Sequence, residues 1–194
     1  MNKLLSLLLL LGLTAGCQSQ PRVAYKDPDE VETVNENYGR TDLKLIVNRM
    51  VKSMINTVEP DLEGRPYIAI RPIKNDIPDG EYVDTKAITD KIRTAVLKSR
   101  KFRFTTEREN LADQADTMER VTESGYYDNS GPGGIKKGGW KPPQFLLRGR
   151  MTAIKKQNDD VRDVYYLVTL YLDSLQEATT VWSEEKEINK RVIR

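Results

Sequence analysis

The segment VYYLVTLYLDS, residues 164–174, decides the fold of this chain. It is rich in β-branched and aromatic residues and contains no glycine or proline, which predicts a β-strand. Bulky side chains occupy both of its alternating faces. One face carries Val164, Tyr166, Val168, Leu170 and Leu172, and the other carries Tyr165, Leu167, Thr169 and Tyr171. A strand with bulk on both faces is expected inside a sheet and not at its margin.

Two further strands are predicted on either side of this segment along the chain. QFLLRGRMTAI, residues 144–154, alternates apolar residues with Arg148 and Arg150, so the two arginines share one face. VWSEEKEI, residues 181–188, is interpreted as a polar outer strand whose charges protect a sheet edge. The connections at 155–163 and 175–180 are short, which predicts antiparallel hairpins.

The region before these strands mixes helices and short strands. Apolar spacings of three and four predict helices starting at Thr41-Asp42 and at Asp84-Thr85, and a third over 107–121. Short strands are predicted at residues 67–73 and 101–106, with Pro72 at a sheet margin or bulge. We therefore expect a single small α/β (α+β) domain, with a mainly antiparallel sheet of about four strands and flanking helices.

The amino terminus has the pattern of an export signal. Lys3 precedes a run of about ten apolar residues, too short to span a bilayer, and small residues follow. Thr14-Ala15-Gly16-Cys17 resembles the lipobox of bacterial lipoproteins, which implies a signal peptide at 1–16 and lipid on Cys17. Residues 17–40 are polar and acidic, with two prolines, and we interpret them as a flexible tether. The globular domain is then predicted at 41–194.

Composition restricts the possible chemistry. The chain has no histidine and a single cysteine, which excludes Ser-His-Asp triads and most zinc sites. Adjacent carboxylates, such as Asp159-Asp160 and Glu184-Glu185, lie in polar contexts that would not raise a carboxyl pKa for acid catalysis. We predict no catalytic residues, no metal and no cofactor. A formal net charge of +2 and the export signal argue against nucleic acid as a partner.

Basic residues are unevenly distributed. Residues 91–106 contain six lysines and arginines and no acid, and residues 129–158 contain seven and no acid. These runs are either ordinary solvated surface or a face that meets an acidic partner domain or an anionic wall polymer. Between them, residues 126–143 hold five glycines and three prolines and are interpreted as a mobile loop, without an assigned role for 130–143.

The order and spacing of several segments resemble the family of penicillin-binding protein activator LpoB. The segments are RPYIAIRPIKN, DTKAITDKIRTAVLKSRKFRFT, FLLRGRMTAI and YYLVTLYLDSLQEATTVWSEEKEINK. The resemblance implies a domain related to the N-terminal domain of TolB. It also implies an outer-membrane lipoprotein, facing the periplasm, that binds a class A penicillin-binding protein and stimulates peptidoglycan synthesis without being an enzyme. Gln18 after the cysteine favours the outer membrane. The tether is shorter than in some members of the family.

Four residues are predicted to meet the partner. Asn75 and Asp76 begin the loop after the first strand, and Arg148 and Arg150 project together from a strand face. Plain solvated surface is the alternative for each. Peptidoglycan itself is a further candidate partner. Two other functions stay open: a structural lipoprotein of a secretion or surface-assembly complex, as in curli secretion, and a periplasmic enzyme that uses carboxylates distant in sequence.

Overall fold

A computed structural model describes residues 24–27, 29–31, 35, 37–78, 82–106, 108–126, 131–132, 134 and 138–193, without the side chains of 108 and 109. The chain divides into two units, Met1–Val31 and Glu32–Arg194. The described part of the first unit is exposed, and Lys26 pairs there with Glu30 at 3.0 Å. Of the helices that the structure describes, none has the length and apolar character needed to cross a bilayer.

The described part of the second unit contains three α-helices and six β-strands. In chain order they are α1 (Arg40–Val58), β1 (Tyr67–Ile70), β2 (Lys74–Asn75), α2 (Thr85–Ser99), β3 (Arg103–Phe104), α3 (Arg108–Glu123), β4 (Phe145–Gln157), β5 (Val161–Ser174) and β6 (Thr179–Ile193). A 3-10 turn at Glu59–Asp61 follows α1. This confirms a mixed domain of one sheet and flanking helices.

The sheet has six strands, so the expected number of about four is wrong. Its order is β3-β1-β4-β5-β6, and β2 also pairs with β4, beyond the end of β1. β4, β5 and β6 are antiparallel, whereas β1 and β2 run parallel to β4, and β3 runs parallel to β1. β2 and β3 have two residues each, too few for a visible alternation in sequence.

The two long hairpins extend further than the sequence indicates. Asn158 closes the β4–β5 connection in three residues, because its Oδ1 accepts hydrogen bonds from the N–H groups of Asp160 and Val161 at 3.1 and 2.7 Å. Lys155 and Lys156 therefore belong to β4. β6 likewise continues to Ile193, paired with β5 throughout apart from an irregularity near Leu172. In the β4–β5 connection, local turn chemistry thus overrides the polar composition of the segment.

The core lies on one face of β5. The five side chains on that face are each at most 1% exposed: Val164, Tyr166, Val168, Leu170 and Leu172. Helix α1 packs on this face and buries Leu43, Ile46, Val47, Met50, Val51, Met54 and Val58. Helix α2 adds Ile88, Ile92 and Val96. Burying this much apolar surface is the main stabilising contribution to the domain.

Pro72 separates β1 from β2, which confirms the expected break and shortens the strand predicted at 67–73. The N–H of Ile73 donates instead to Thr89 Oγ1 of α2 at 3.0 Å, so it remains satisfied although no strand receives it. Ile73 then crosses β4 at Gly149, where a Cβ would lie 2.7 Å from the carbonyl oxygen of Thr169 and 2.9 Å from Ile73 Cδ1. The crossing requires glycine at this position.

Helix α1 begins where the tether was predicted to end. Asp42 accepts a hydrogen bond from the N–H of Gly39 at 2.8 Å and an ion pair from Lys190 of β6 at 2.6 Å. Just before the helix, the Tyr38 ring meets the Tyr166 ring edge-on, with centroids 5.7 Å apart. The Tyr38 hydroxyl is buried and has no hydrogen-bond partner among the described residues. Burial, with Asp42 nearby, raises the pKa of this phenol.

Helix α3 corrects the expectation of an inward apolar face. Leu111, Met118 and Val121 are only half-buried, and Ala115 is exposed. A hydrogen bond from Thr106 Oγ1 to Gln114 Oε1 at 2.7 Å links the helix to the segment that follows β3. The helix forms as the periodicity predicts, but it does not complete the core.

Candidate partner-docking surface

The face of the sheet opposite α1 contains the candidate docking residues on β4 and their neighbours on β5 and β6. On β5 it carries Tyr165, Leu167, Thr169 and Tyr171, all half-buried, and on β6 it carries Ser183, Glu185 and Glu187, all exposed. On β4 it carries the two predicted arginines, Arg148 opposite Tyr171 and Arg150 opposite Thr169. We call it the open sheet face. Aromatic and arginine side chains are enriched in protein interfaces, and on this face they lie on β4 and β5.

Arg148 is held in place by two neighbours. Its Nε and Nη2 donate to the two carboxylate oxygens of Asp173 at 2.5 and 3.2 Å. Its guanidinium carbon lies 4.3 Å from the centroid of the Tyr171 ring. Thr180 Oγ1 donates to Asp173 at 2.7 Å and supports the same carboxylate. Such a bidentate pair fixes the arginine geometrically, and the stacked ring is fixed with it.

The electrostatics of this cluster favour the charged forms. The hydrogen bond from Arg148 holds the pKa of Asp173 below the ordinary value of a carboxyl group, although burial acts against it. The same bond raises the pKa of Arg148. The charge of Arg148 is already balanced by Asp173. The planar guanidinium stacked on Tyr171 would therefore contribute shape to an interface more than it would contribute charge.

Arg150 differs from Arg148 because it has a second cation, Lys74, as its neighbour instead of a carboxylate. Arg150 is exposed and has no ion-pair partner among the described residues. Strand β2 places Lys74 directly beside it in the sheet register. Two adjacent cations on one sheet face attract an acidic partner surface. Sequence reasoning missed Lys74 because the pairing of a two-residue strand has no periodic signal.

Asn75 and Asp76 border this surface, but their local interactions are mainly structural. The Oδ1 of Asn75 accepts a hydrogen bond from the N–H of Ile77 at 3.1 Å, which forms a tight turn. The N–H of Asp76 donates to the carbonyl of Met151 at 2.8 Å. The structure therefore places Arg148 and Arg150 on β4, Asn75 on β2 and Asp76 directly after β2. It also joins Arg148 to Tyr171 and Asp173, which the sequence did not single out.

Among the described residues, no group of three or more acidic, histidine or cysteine side chains is placed so that it could hold a metal ion. Asp159 and Asp160 lie exposed in the β4–β5 turn, and Glu184 and Glu185 point to opposite faces of β6. Cys17, the predicted lipidation site, lies outside the described residues.

Comparison with known families gives a match over most of this domain. The family model described as "Peptidoglycan-synthase activator LpoB" matches residues 42–188. The chain belongs to the LpoB family. A search of curated proteins found no match.

Three solved LpoB structures are similar to this chain. The C-terminal domain from Salmonella enterica is 12% identical with a TM-score of 0.47, covering 77% of this chain and 99% of its own. The C-terminal domain from Escherichia coli is 12% identical with a TM-score of 0.46 and the same coverages. The NMR structure of Escherichia coli LpoB is 12% identical with a TM-score of 0.44, covering 93% of this chain and 86% of its own.

The LpoB match includes the whole candidate surface. Asn75, Asp76, Arg148 and Arg150 all fall within residues 42–188, as do Lys74, Tyr171 and Asp173. The match begins at Asp42, the residue that accepts a hydrogen bond from Gly39 at the start of α1. An LpoB domain belongs to a family of synthase activators, which favours regulation of an enzyme over a structural role in surface assembly.

Proposed function

We propose that this protein is an outer-membrane lipoprotein that binds a class A penicillin-binding protein and stimulates its glycan polymerisation. The observation that carries the proposal is the LpoB family match over residues 42–188. In this proposal the chain regulates a synthase and performs no reaction itself. The domain must then bind the active state of the synthase more tightly than the resting state, because only a difference in affinity shifts an equilibrium.

The proposed organisation of the chain has three parts. Residues 1–16 are the signal peptide, 17–40 the lipidated tether and 41–194 the activator domain. Acyl chains on Cys17 would hold the domain at the membrane, since each buried methylene contributes about 0.8 kcal/mol. A tether of this length spans at most roughly 80 Å when fully extended. The partner would therefore have to extend far enough towards the outer membrane to be reached.

We assign docking to the open sheet face, centred on Arg150 and Lys74. Both are exposed cations without an ion-pair partner among the described residues, so an acidic partner surface gains charge pairing there without breaking a native pair. Tyr171 and the stacked Arg148 lie beside them and supply a rigid surface for the centre of an interface. Aromatic and arginine side chains dominate binding energy at such centres.

The test is glycan polymerisation from lipid II by class A penicillin-binding proteins of the same organism. The full chain is added in detergent, and a several-fold faster rate that disappears when the chain is unfolded supports the proposal. Neither stimulation nor binding of any class A synthase would overturn it.

The docking face is tested with a matched pair of variants. Arg150→Gln combined with Lys74→Gln should weaken synthase binding about ten-fold or more, as expected when two charged side chains are removed from the centre of an interface. Arg49→Gln removes an exposed arginine from α1, on the other side of the sheet, and should leave the binding unchanged. Equal effects of the two changes would assign docking elsewhere.

A further inference from the structure

A second site lies at the β3 edge of the sheet, on the same side as Arg148 and Arg150. It is a groove of about 900 Å³ between β1, β3, α3 and the segment 139–143. Its apolar lining includes Trp140, Phe104, Leu111 and Leu146. We call it the Trp140 groove. Its volume falls within the range of small-ligand sites, which combine apolar walls with a few convergent polar groups.

The groove is cationic. Its described lining residues include Arg71, Arg93 and Lys141 and contain no aspartate or glutamate. Arg71 and Lys141 have no ion-pair partner among the described residues, while Arg93 pairs with Asp90 at 3.6 Å. Arg93 and Lys141 come from the two basic runs of the sequence, which the fold thus brings to one site. A ligand with carboxylates matches this charge, and arginine is suited to bind it bidentately.

The groove also has a flat aromatic wall. Trp140 is 51% exposed, unlike the other tryptophan, Trp182, which is 7% exposed. Its segment is fastened to β1 at Gln144, whose N–H donates to the carbonyl of Tyr67 at 2.7 Å and whose Oε1 accepts from the N–H of Tyr67 at 3.1 Å. Pro142 and Pro143 restrict the intervening backbone. The guanidinium of Arg93, which also lines the groove, lies 5.8 Å from the centroid of the Phe104 ring.

We propose that the Trp140 groove binds peptidoglycan through one disaccharide unit and its stem peptide. A pyranose ring has an apolar C–H face that packs on an indole plane, and the stem-peptide carboxylates complement Arg71 and Lys141. Thr105 and Gln114 line the same groove and add uncharged polar groups to it. The inference deepens the proposed function, on which it rests: the activator would hold the wall polymer at the β3 edge of this side of the sheet and the synthase around Arg150 and Lys74.

Trp140 makes the site directly testable, because the chain has only two tryptophans and the other is buried. The full chain in detergent is titrated with three soluble probes: N-acetylglucosaminyl-N-acetylmuramyl-tetrapeptide, the free tetrapeptide, and di-N-acetylchitobiose. Tryptophan emission and calorimetry are both recorded. We expect a saturable emission change with the disaccharide-peptide. Its affinity should be about ten-fold higher than that of the tetrapeptide or of chitobiose alone, because it occupies both the aromatic and the cationic part of the groove.

Substitutions of groove residues test whether the probes bind in the groove. Trp140→Phe should abolish the emission change and weaken calorimetric binding. Arg71→Gln should weaken binding about five-fold or more, because a charge-assisted pair is removed. Arg49→Gln, on α1, should bind like the wild type. Circular dichroism confirms that each variant is folded.

Several outcomes would overturn the inference. The first is the absence of saturable binding. The second is equal affinity for the disaccharide-peptide and the free tetrapeptide, which would indicate an acidic-peptide site instead. The third is an equal loss of affinity in Arg71→Gln and Arg49→Gln. The titration contains no synthase, so its result is independent of the lipid II assay. Failure of stimulation there with retained binding here would reject the proposed function alone.

Discussion

Helices α1 and α3 are both amphipathic, yet the domain uses them differently. Helix α1 buries seven apolar side chains and contacts β5, β6 and α2. Helix α3 leaves Leu111, Met118 and Val121 half-buried. The difference lies in what each helix faces, because α1 meets two fully formed long strands, whereas the sheet beside α3 ends in the two residues of β3.

Amphipathic periodicity therefore predicts that a helix forms but does not predict how deeply it packs. Burial requires an opposing apolar surface of matching width. The tight region gives the domain its stability, and the loose region leaves a groove that a ligand can enter. The following predictions test this division, from the largest expected effect to the smallest.

The sharpest test is the same substitution in both helices. Met50 on α1 is fully buried, so Met50→Ala should reduce the free energy of unfolding by about 2–5 kcal/mol. Met118 on α3 is half-buried, so Met118→Ala should cost less than about 1 kcal/mol. Urea denaturation of the full chain measures both values. Comparable losses would mean that α3 belongs to the cooperative core.

Two glycine-to-alanine substitutions compare how closely the backbone is packed in the tight region and in an open segment. Gly149→Ala places a methyl group against the backbone oxygen of Thr169 at 2.7 Å, which side-chain movement cannot relieve, and should destabilise the domain by about 1–3 kcal/mol. Gly131→Ala meets no atom within 4 Å and should be close to neutral. Thermal unfolding of both variants gives the comparison. A neutral Gly149→Ala would show that β4 and β5 can separate locally.

One buried group in the tight region is expected to be unfavourable. The Tyr38 hydroxyl lacks a hydrogen-bond partner among the described residues, and an unsatisfied buried polar group costs about 1–3 kcal/mol. Tyr38→Phe keeps the ring packing on Tyr166 and should raise the free energy of unfolding by about 1 kcal/mol. Tyr38→Ala is the control and should lower it, since the ring itself is removed. Destabilisation by Tyr38→Phe would reveal a hydrogen bond to that hydroxyl.

The smallest expected effect is the dependence of stability on pH through Asp173. Its pKa is lowered in the folded state by the hydrogen bond from Arg148, so its contribution is complete above the ordinary carboxyl pKa. That contribution is lost as the pH falls through the lowered folded-state value. Urea midpoints between pH 7 and pH 3 should therefore fall less steeply for Asp173→Asn than for the wild type. Identical slopes would show that the Arg148 pair contributes nothing to stability.

The long elements were predictable because their signals are local and repeated. The pattern of residues 164–174 predicted the strand and its position inside the sheet, between β4 and β6. Asp84 was correctly placed at the start of a helix, where its carboxylate accepts from the N–H of Ala87 at 2.9 Å. The resemblance of four segments predicted the LpoB family, which the match over 42–188 confirms. Arg148 and Arg150 were correctly placed on one face.

The short and distant relations were not predictable. Parallel pairing of β1, β2 and β3 depends on residues far apart in sequence, and two residues carry no period. The neighbours of Arg148 and Arg150 follow from strand pairing, so Asp173 and Lys74 were missed.

The sequence by itself determined the long elements, the inner position of β5 and the family, because side-chain periodicity and residue order are properties of the chain. Only the tertiary structure decided which charged side chains are paired within the domain and which are left to interact with a partner. Arg148 is balanced by Asp173, 25 residues away, whereas Arg150 gains Lys74 as a neighbour across the sheet. It likewise brought Arg71, Arg93 and Lys141 to one groove beside Trp140. Electrostatic interactions depend on distance in space, and strand pairing sets that distance.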